Sequence, residues 1–104
     1  MVALHHPAYP IGSAWLDTLH LHNASSLFEV IEKHPSVRVV VNGHVHQEHT
    51  HERAGVTYLS CPSTCYQFLS GSETAVHADL PPGYRVLELH PDGQFDTHVV
   101  RFEG

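Results

Sequence analysis

Two short apolar runs, Val2-Ala3-Leu4 and Val37-Arg38-Val39-Val40-Val41, enclose a segment of helical period, and that order constrains the fold more than any other feature of the chain. Asn23 stands where a helix N-cap is wanted. Ala24, Leu27, Phe28 and Ile31 follow at i, i+3, i+4 and i+7, which puts one apolar stripe on a helix. Pro35 ends it after Lys33 and His34. The strands are read over Val2 to His5 and Val37 to Asn42, from β-branched content and length. A strand–helix–strand order implies a right-handed crossover between parallel strands. Parallel neighbours finish at the same edge of a sheet, and open α/β sheets place ligands at that carboxyl edge.

Both strand ends carry histidine. His5-His6 closes the first, and Gly43-His44-Val45-His46 follows the second. Neutral imidazole is the commonest side-chain ligand of transition metals. An isolated His-x-His arises by chance on surface strands; one that ends a buried run and faces a second histidine pair points to a metal site. His5, His44 and His46 are the candidate ligands. His44 and His46 are two apart, so locally extended backbone would point them the same way, and Gly43 is expected to permit the sharp turn. His6 competes with His5; a residue following a ligand tends to point away, which leaves His6 beside the site, in packing or against substrate.

The remainder reads as β. Glu48 to Arg53 and Val56 to Ser60 flank a turn at Ala54-Gly55. Tyr84 to His90 and Phe95 to Phe102 flank Pro91-Asp92-Gly93 as a hairpin. Ile11 to Leu21 is expected to be a loop with large apolar members, Trp15, Leu16 and Leu19. Ser70 to Gly83, with Pro81-Pro82-Gly83, is expected to be a surface loop.

The chain has 104 residues, enough for one small domain. Five Lys plus Arg against 11 Asp plus Glu give a net charge of -6, which disfavours nucleic-acid polymers and anionic membranes as partners. No apolar run reaches the roughly 20 residues of a membrane span, and no leader pattern opens the chain. A cytoplasmic location is expected. Met1-Val2-Ala3-Leu4 reads as a core strand with a start codon inside it, so an upstream part is expected to be absent. Cys61 and Cys65 lack a second pair to complete a zinc knuckle; a disulfide, a metal pair and two reduced thiols all remain open, with reduced thiols preferred.

Leu4-His5-His6-Pro7 followed by Asn42-Gly43-His44-Val45-His46 resembles the last two metal motifs of the calcineurin-like metallophosphoesterases. Pro10-Ile11-Gly12-Ser13-Ala14-Trp15-Leu16-Asp17 and Cys61-Pro62-Ser63-Thr64-Cys65-Tyr66-Gln67-Phe68 resemble the class III bacterial cyclic-nucleotide phosphodiesterases, and Tyr84 to Leu89 with its turn is similar to their closing hairpin. The resemblance covers essentially the whole chain. It implies an α/β fold in which residues 1–104 form the C-terminal half of an αββα sandwich, a strand–helix–strand crossover followed by antiparallel hairpins. It implies two metal ions in the parent enzyme (iron, manganese or zinc), with His5 and His44 on one and His46 on the other. The implied reaction is in-line attack of an activated water on a 3′,5′-cyclic nucleotide such as cyclic AMP, giving the 5′-monophosphate.

The resemblance also implies upstream motifs (an Asp-x-His, a Gly-Asp with a bridging Asp, a Gly-Asn-His), and all of them are expected to be missing from this chain. Two dications in such a centre repel by more than about 10 kcal/mol at an effective dielectric of 20. Carboxylates normally offset that repulsion, and three neutral imidazoles do not. Asp17 is the only acid nearby in sequence. The chain alone is therefore expected to hold at most one metal and to be inactive without the missing N-terminal half. The alternative is a stand-alone module, non-catalytic or with one zinc on three histidines.

Of the other residues, Trp15 either lines a nucleotide pocket by stacking or packs on the helix. Thr64 and Cys65 either face substrate or form a turn between strands. His49 and His51 are expected to be solvated, and His20, His22, His34, His77, His90 and His98 receive no role. A half-sandwich should expose an apolar sheet face and an unpaired strand edge, so self-association is expected.

Overall fold

The computed structural model describes residues 1–18 and 21–102; Leu19 and His20, named above within a loop, lie outside the described residues. The chain is mixed α/β. Strand β1 (Val2–Leu4) leads into a one-turn helix α1 (Ala14–Asp17), helix α2 (Ala24–Glu32) and strand β2 (Val39–Asn42). Strands β3 (His49–Arg53), β4 (Val56–Ser60), β5 (Gln67–Phe68), β6 (His77–Ala78), β7 (Gly83–Leu89) and β8 (Phe95–Arg101) follow. The main sheet runs β1-β2-β4-β3. β1 pairs parallel to β2 and β2 parallel to β4, while β3 and β4 form an antiparallel hairpin. The register sets Leu4 opposite Asn42, so the segments that follow, His5-His6 and Gly43 to His46, leave the sheet side by side.

Helix α2 covers one face. Phe28 and Ile31 pack with Ala8, Val40, Val56 and Tyr58, bordered by Val2, Leu4 and Leu27. The larger aliphatic and Phe side chains of this group each contribute about 1.5–3 kcal/mol by leaving water. Asn23 takes the N-cap position but its side chain makes no capping bond; its backbone carbonyl accepts from Ser26 and Leu27 instead. The helix closes with tight i→i+3 bonds, Lys33 N–H to Val30 and His34 N–H to Ile31, before Pro35. Arg53 holds it to β3, donating to Glu32 at 2.7 Å with its guanidinium 4.3 Å above the Phe28 ring.

The opposite face is covered too. Val39 and Leu59 are each 1% exposed, and the β7–β8 hairpin lies there, with Leu89 and Phe95 bordering Val39. The open apolar sheet face expected from the sequence is therefore absent at β2 and β4, because the hairpin covers it. What stays open is the outer edge of β1, where Ala3 is exposed. Arg85 ties hairpin to sheet, donating to the Ser60 carbonyl at 3.0 Å and to Thr97 Oγ1 at 3.1 Å. At Gly83 a Cβ would lie 2.9 Å from the Val100 carbonyl oxygen, so the close approach of β7 to β8 needs glycine.

Two expected loops contain structure. In 11–18, Asp17 accepts from the backbone N–H of Ile11 (2.7 Å) and of Gly12 (3.2 Å), which winds the segment into α1. In 70–83, β6 pairs antiparallel with β5. The Pro91-Asp92-Gly93 turn forms as expected, closed by His90 N–H to Gln94 O and Gly93 N–H to His90 O. No helix among the described residues is long and apolar enough to cross a membrane.

Candidate functional site

The parallel register brings two histidine groups together at the carboxyl edge of β1 and β2. His5 Nε2 lies 3.1 Å from His44 Nδ1. His6 completes a triangle of rings, its centroid 5.0 Å from that of His5 and 4.6 Å from that of His44. One ring nitrogen from each of His5, His6 and His44 lies within 4.8 Å of the others. His5 and His6 are exposed and His44 is half-buried.

His46 does not face the same way as His44. The connection is not extended: His44 has φ 68° and His46 φ 52°, both left-handed, and Val45 N–H bonds back to the Gly43 carbonyl at 2.8 Å. That conformation costs roughly 1–2 kcal/mol per non-glycine residue. Val45 between them is 0% exposed, and its burial anchors the kink. Gly43 does not supply the turn expected of it, since its φ is not in the positive range. The kink sends His44 toward β1 and His46 toward β5, where its ring stacks on Phe68 at 4.5 Å and meets the edge of Tyr66 at 5.0 Å.

Both residues are held neutral. Burial lowers the His44 pKa, helped by the neighbouring His6, His5 and His46. Burial likewise lowers that of His46, partly opposed by a backbone hydrogen bond to Tyr66. Neutral imidazole keeps a lone pair free for a metal. Nε2 of His44 and Nδ1 of His46 are buried without a hydrogen-bond partner. An orphaned buried polar atom costs about 1–3 kcal/mol, and a ligand that engaged it would remove that cost. The set that does converge, one ring nitrogen from each of His5, His6 and His44, fits a transition metal.

The other sequence candidates scatter around this edge. Trp15 is half-buried, its ring edge-on to Phe68 at 4.7 Å, so it joins the aromatic row that holds His46. Its indole Nε1 is buried without a partner. Thr64 and Cys65 are exposed, on a loop where Cys65 N–H donates to Ser63 Oγ. Both carboxylate oxygens of Asp17 accept from backbone N–H groups, so that acid serves the loop. His49, expected in solvent, is half-buried, bonded to Gln47 Oε1 at 3.0 Å, and its pKa is lowered by burial. His51 lies at the surface and packs on Tyr9 at 3.7 Å. The chain does contain one Asp-x-His, Asp96-Thr97-His98, but it is on β8, where Asp96 bonds His90.

Sequence reasoning passed over Gln67, which organises the loop carrying Thr64 and Cys65. It is 1% exposed, accepts from Ser63 N–H at 2.9 Å and donates to the Ser63 carbonyl at 2.8 Å. A polar residue beside Phe68 gives no pattern that marks it as buried. Beside His46, Gln47, Phe68, Leu80 and Arg101 border a cleft of about 440 Å³.

No family model matches the chain. It is 47% identical over 102 residues to a 3′,5′-cyclic-nucleotide phosphodiesterase of Nostoc sp., covering 97% of the chain and 38% of the relative. It is 41% identical over 103 residues to the 3′,5′-cyclic adenosine monophosphate phosphodiesterase CpdA of Pseudomonas aeruginosa, covering 99% of the chain and 38% of that protein. The enzyme of the same name from Escherichia coli K12 is 41% identical over 101 residues, covering 97% of the chain and 37% of its own length. The chain thus spans little more than a third of the length of the curated relatives it matches. Aligned along nearly its whole length, it is a homologue of a segment of the 3′,5′-cyclic-nucleotide phosphodiesterases, the group its histidine motifs resemble.

Proposed function

We propose that residues 1–104 are the C-terminal portion of a metal-dependent 3′,5′-cyclic-nucleotide phosphodiesterase with the αββα metallophosphoesterase architecture. The complete enzyme hydrolyses cyclic AMP to 5′-AMP. In it, His5 and His44 hold one metal and His46 a second. When bound, such cations stabilise charge on phosphoryl oxygens and make water a stronger nucleophile at neutral pH. His6 stands beside the pair, next to the phosphoryl group. Trp15, Thr64 and Cys65 face the nucleotide; Thr64 and Cys65 are exposed, and the half-buried Trp15 ring stands beside the His46–Phe68 row.

The observation that carries this reading is the 3.1 Å approach of His5 Nε2 to His44 Nδ1 at the ends of two parallel strands. The chain alone does not hydrolyse cyclic AMP, because no carboxylate shares the histidine group among the described residues. Nothing there offsets the mutual repulsion of two dications.

Co-expression with the remaining segment of the Nostoc relative tests it. The assembled pair is expected to hydrolyse cyclic AMP in the presence of Mn²⁺ or Fe²⁺, the chain alone not at all, and His44→Ala in the pair to lose activity. A stable, metal-loaded complex that leaves cyclic AMP intact overturns the proposal.

A further inference from the structure

The group of nitrogens that lie close together is not the one the sequence motif suggests. His5, His6 and His44 gather within 4.8 Å, and His46 is outside. Two nitrogens on a tetrahedral zinc with bonds of about 2.0–2.1 Å lie about 3.3 Å apart; His5 Nε2 and His44 Nδ1 are already at 3.1 Å. His46 is committed elsewhere, by the left-handed kink on either side of buried Val45 and by its stack on Phe68. Bringing it to the group would break that stack and unwind the kink.

We infer that this chain, on its own, binds a single zinc-class transition-metal ion through His5, His6 and His44, with His46 uninvolved. The inference rests on reading His5 and His44 as metal ligands, but not on hydrolysis of a cyclic nucleotide. His6 supplies the third nitrogen, and the fourth position is left to water or an added ligand. An all-imidazole set favours Zn²⁺, Co²⁺ and Ni²⁺ and discriminates against Mg²⁺ and Ca²⁺, which prefer oxygen. The set carries no charge, so it does not attract a second dication. His5 and His6 are exposed, so the ion reaches the site without opening the fold.

A competing group needs control. Glu88, His90 and Asp96 on the β7–β8 hairpin also bring ligand atoms within 4.8 Å of one another, and His90 already bonds Asp96 at 2.8 Å. All titrations are therefore run on the 104-residue chain and repeated on His90→Ala, so that any equivalent captured on the hairpin is subtracted.

Zn²⁺ titration by calorimetry is expected to give one equivalent that survives His90→Ala. Two-dimensional NMR of the histidine rings is expected to show His5, His6 and His44 shifting and His46 unmoved; this readout needs no mutation at the site. His6→Ala is expected to weaken binding by more than about tenfold, since even outer-shell partners are worth ~10–100-fold. His46→Ala is expected to leave affinity unchanged. If His46→Ala weakens binding and His6→Ala does not, the inference fails while the ligand pairing proposed for the complete enzyme stands. Absence of any Zn²⁺ equivalent in the His90→Ala chain also overturns it, and leaves the co-expression test of hydrolysis unaffected.

Discussion

The rings of His46 and Phe68 lie face to face, centroids 4.5 Å apart and planes 13° from parallel, although His46 is only two residues from His44, which faces the opposite strand end. Phe68 thus serves as the surface that keeps one imidazole dry and aimed away from its neighbour. Burial is the first cause of the lowered His46 pKa. Phe68→Ala is expected to return the His46 titration toward the ordinary imidazole value near 6.5. It should also cost about 1–3 kcal/mol, less than a full Phe-to-Ala deletion because Phe68 is only half-buried. An NMR ring titration checks the first and urea denaturation the second; an unmoved His46 midpoint would refute the role given to the stack.

Two glycines that look alike in sequence should behave differently. A Cβ at Gly83 meets the Val100 carbonyl oxygen at 2.9 Å, whereas at Gly43 the nearest atom is His5 Nδ1 at 4.0 Å. Gly83→Ala must push backbone against backbone, and about 1–3 kcal/mol of destabilisation is expected. Gly43→Ala is expected to change stability by less than about 0.5 kcal/mol. Denaturant midpoints of the two variants, measured side by side, decide it; equal losses would contradict the backbone description.

Acid should destabilise the metal-free chain in a defined window. His44, His46 and His49 all have pKa values lowered from 6.5, burial being the largest cause in each. The unfolded chain therefore binds protons more tightly than the folded one below about pH 6.5. Stability is complete above that value and declines as pH falls toward the lowered folded pKa values. Urea midpoints at pH 7.5 and pH 5.5 should differ, with the lower pH less stable, and His49→Gln should shrink the gap. Equal midpoints would show that these rings are not desolvated as described.

What could be seen in the sequence follows from which forces are local. The parallel pairing of β1 with β2 and the buried stripe Phe28–Ile31 were visible because periodicity and β-branching report burial directly. The meeting of His5 with His44 followed from that topology alone. The kink at His44 and His46 was hidden, because a left-handed conformation at a non-glycine residue is imposed by tertiary contacts, here the burial of Val45. Extended backbone was the natural reading, and it misdirected His46. The same limit concealed α1, which depends on Asp17 reaching back to two backbone N–H groups, and the docking of the expected β7–β8 hairpin on the sheet, whose tie is Arg85 to the Ser60 carbonyl.

The free edge of β1 leads to a last expectation. β1 is the outermost strand of its sheet, and Ala3 at its centre is exposed, so one row of backbone N–H and C=O groups has no strand partner among the described residues. Such an edge is a template for pairing with another copy of the chain. Self-association through β1 is expected, with an apparent mass by light scattering that rises with concentration. Ala3→Pro removes one edge donor, and Pro is tolerated at strand edges, so the variant should fold and associate more weakly. A wild-type chain that stays monomeric across a hundredfold range of about 5–500 μM would refute the edge as a contact, since micromolar pairing corresponds to only about 8 kcal/mol.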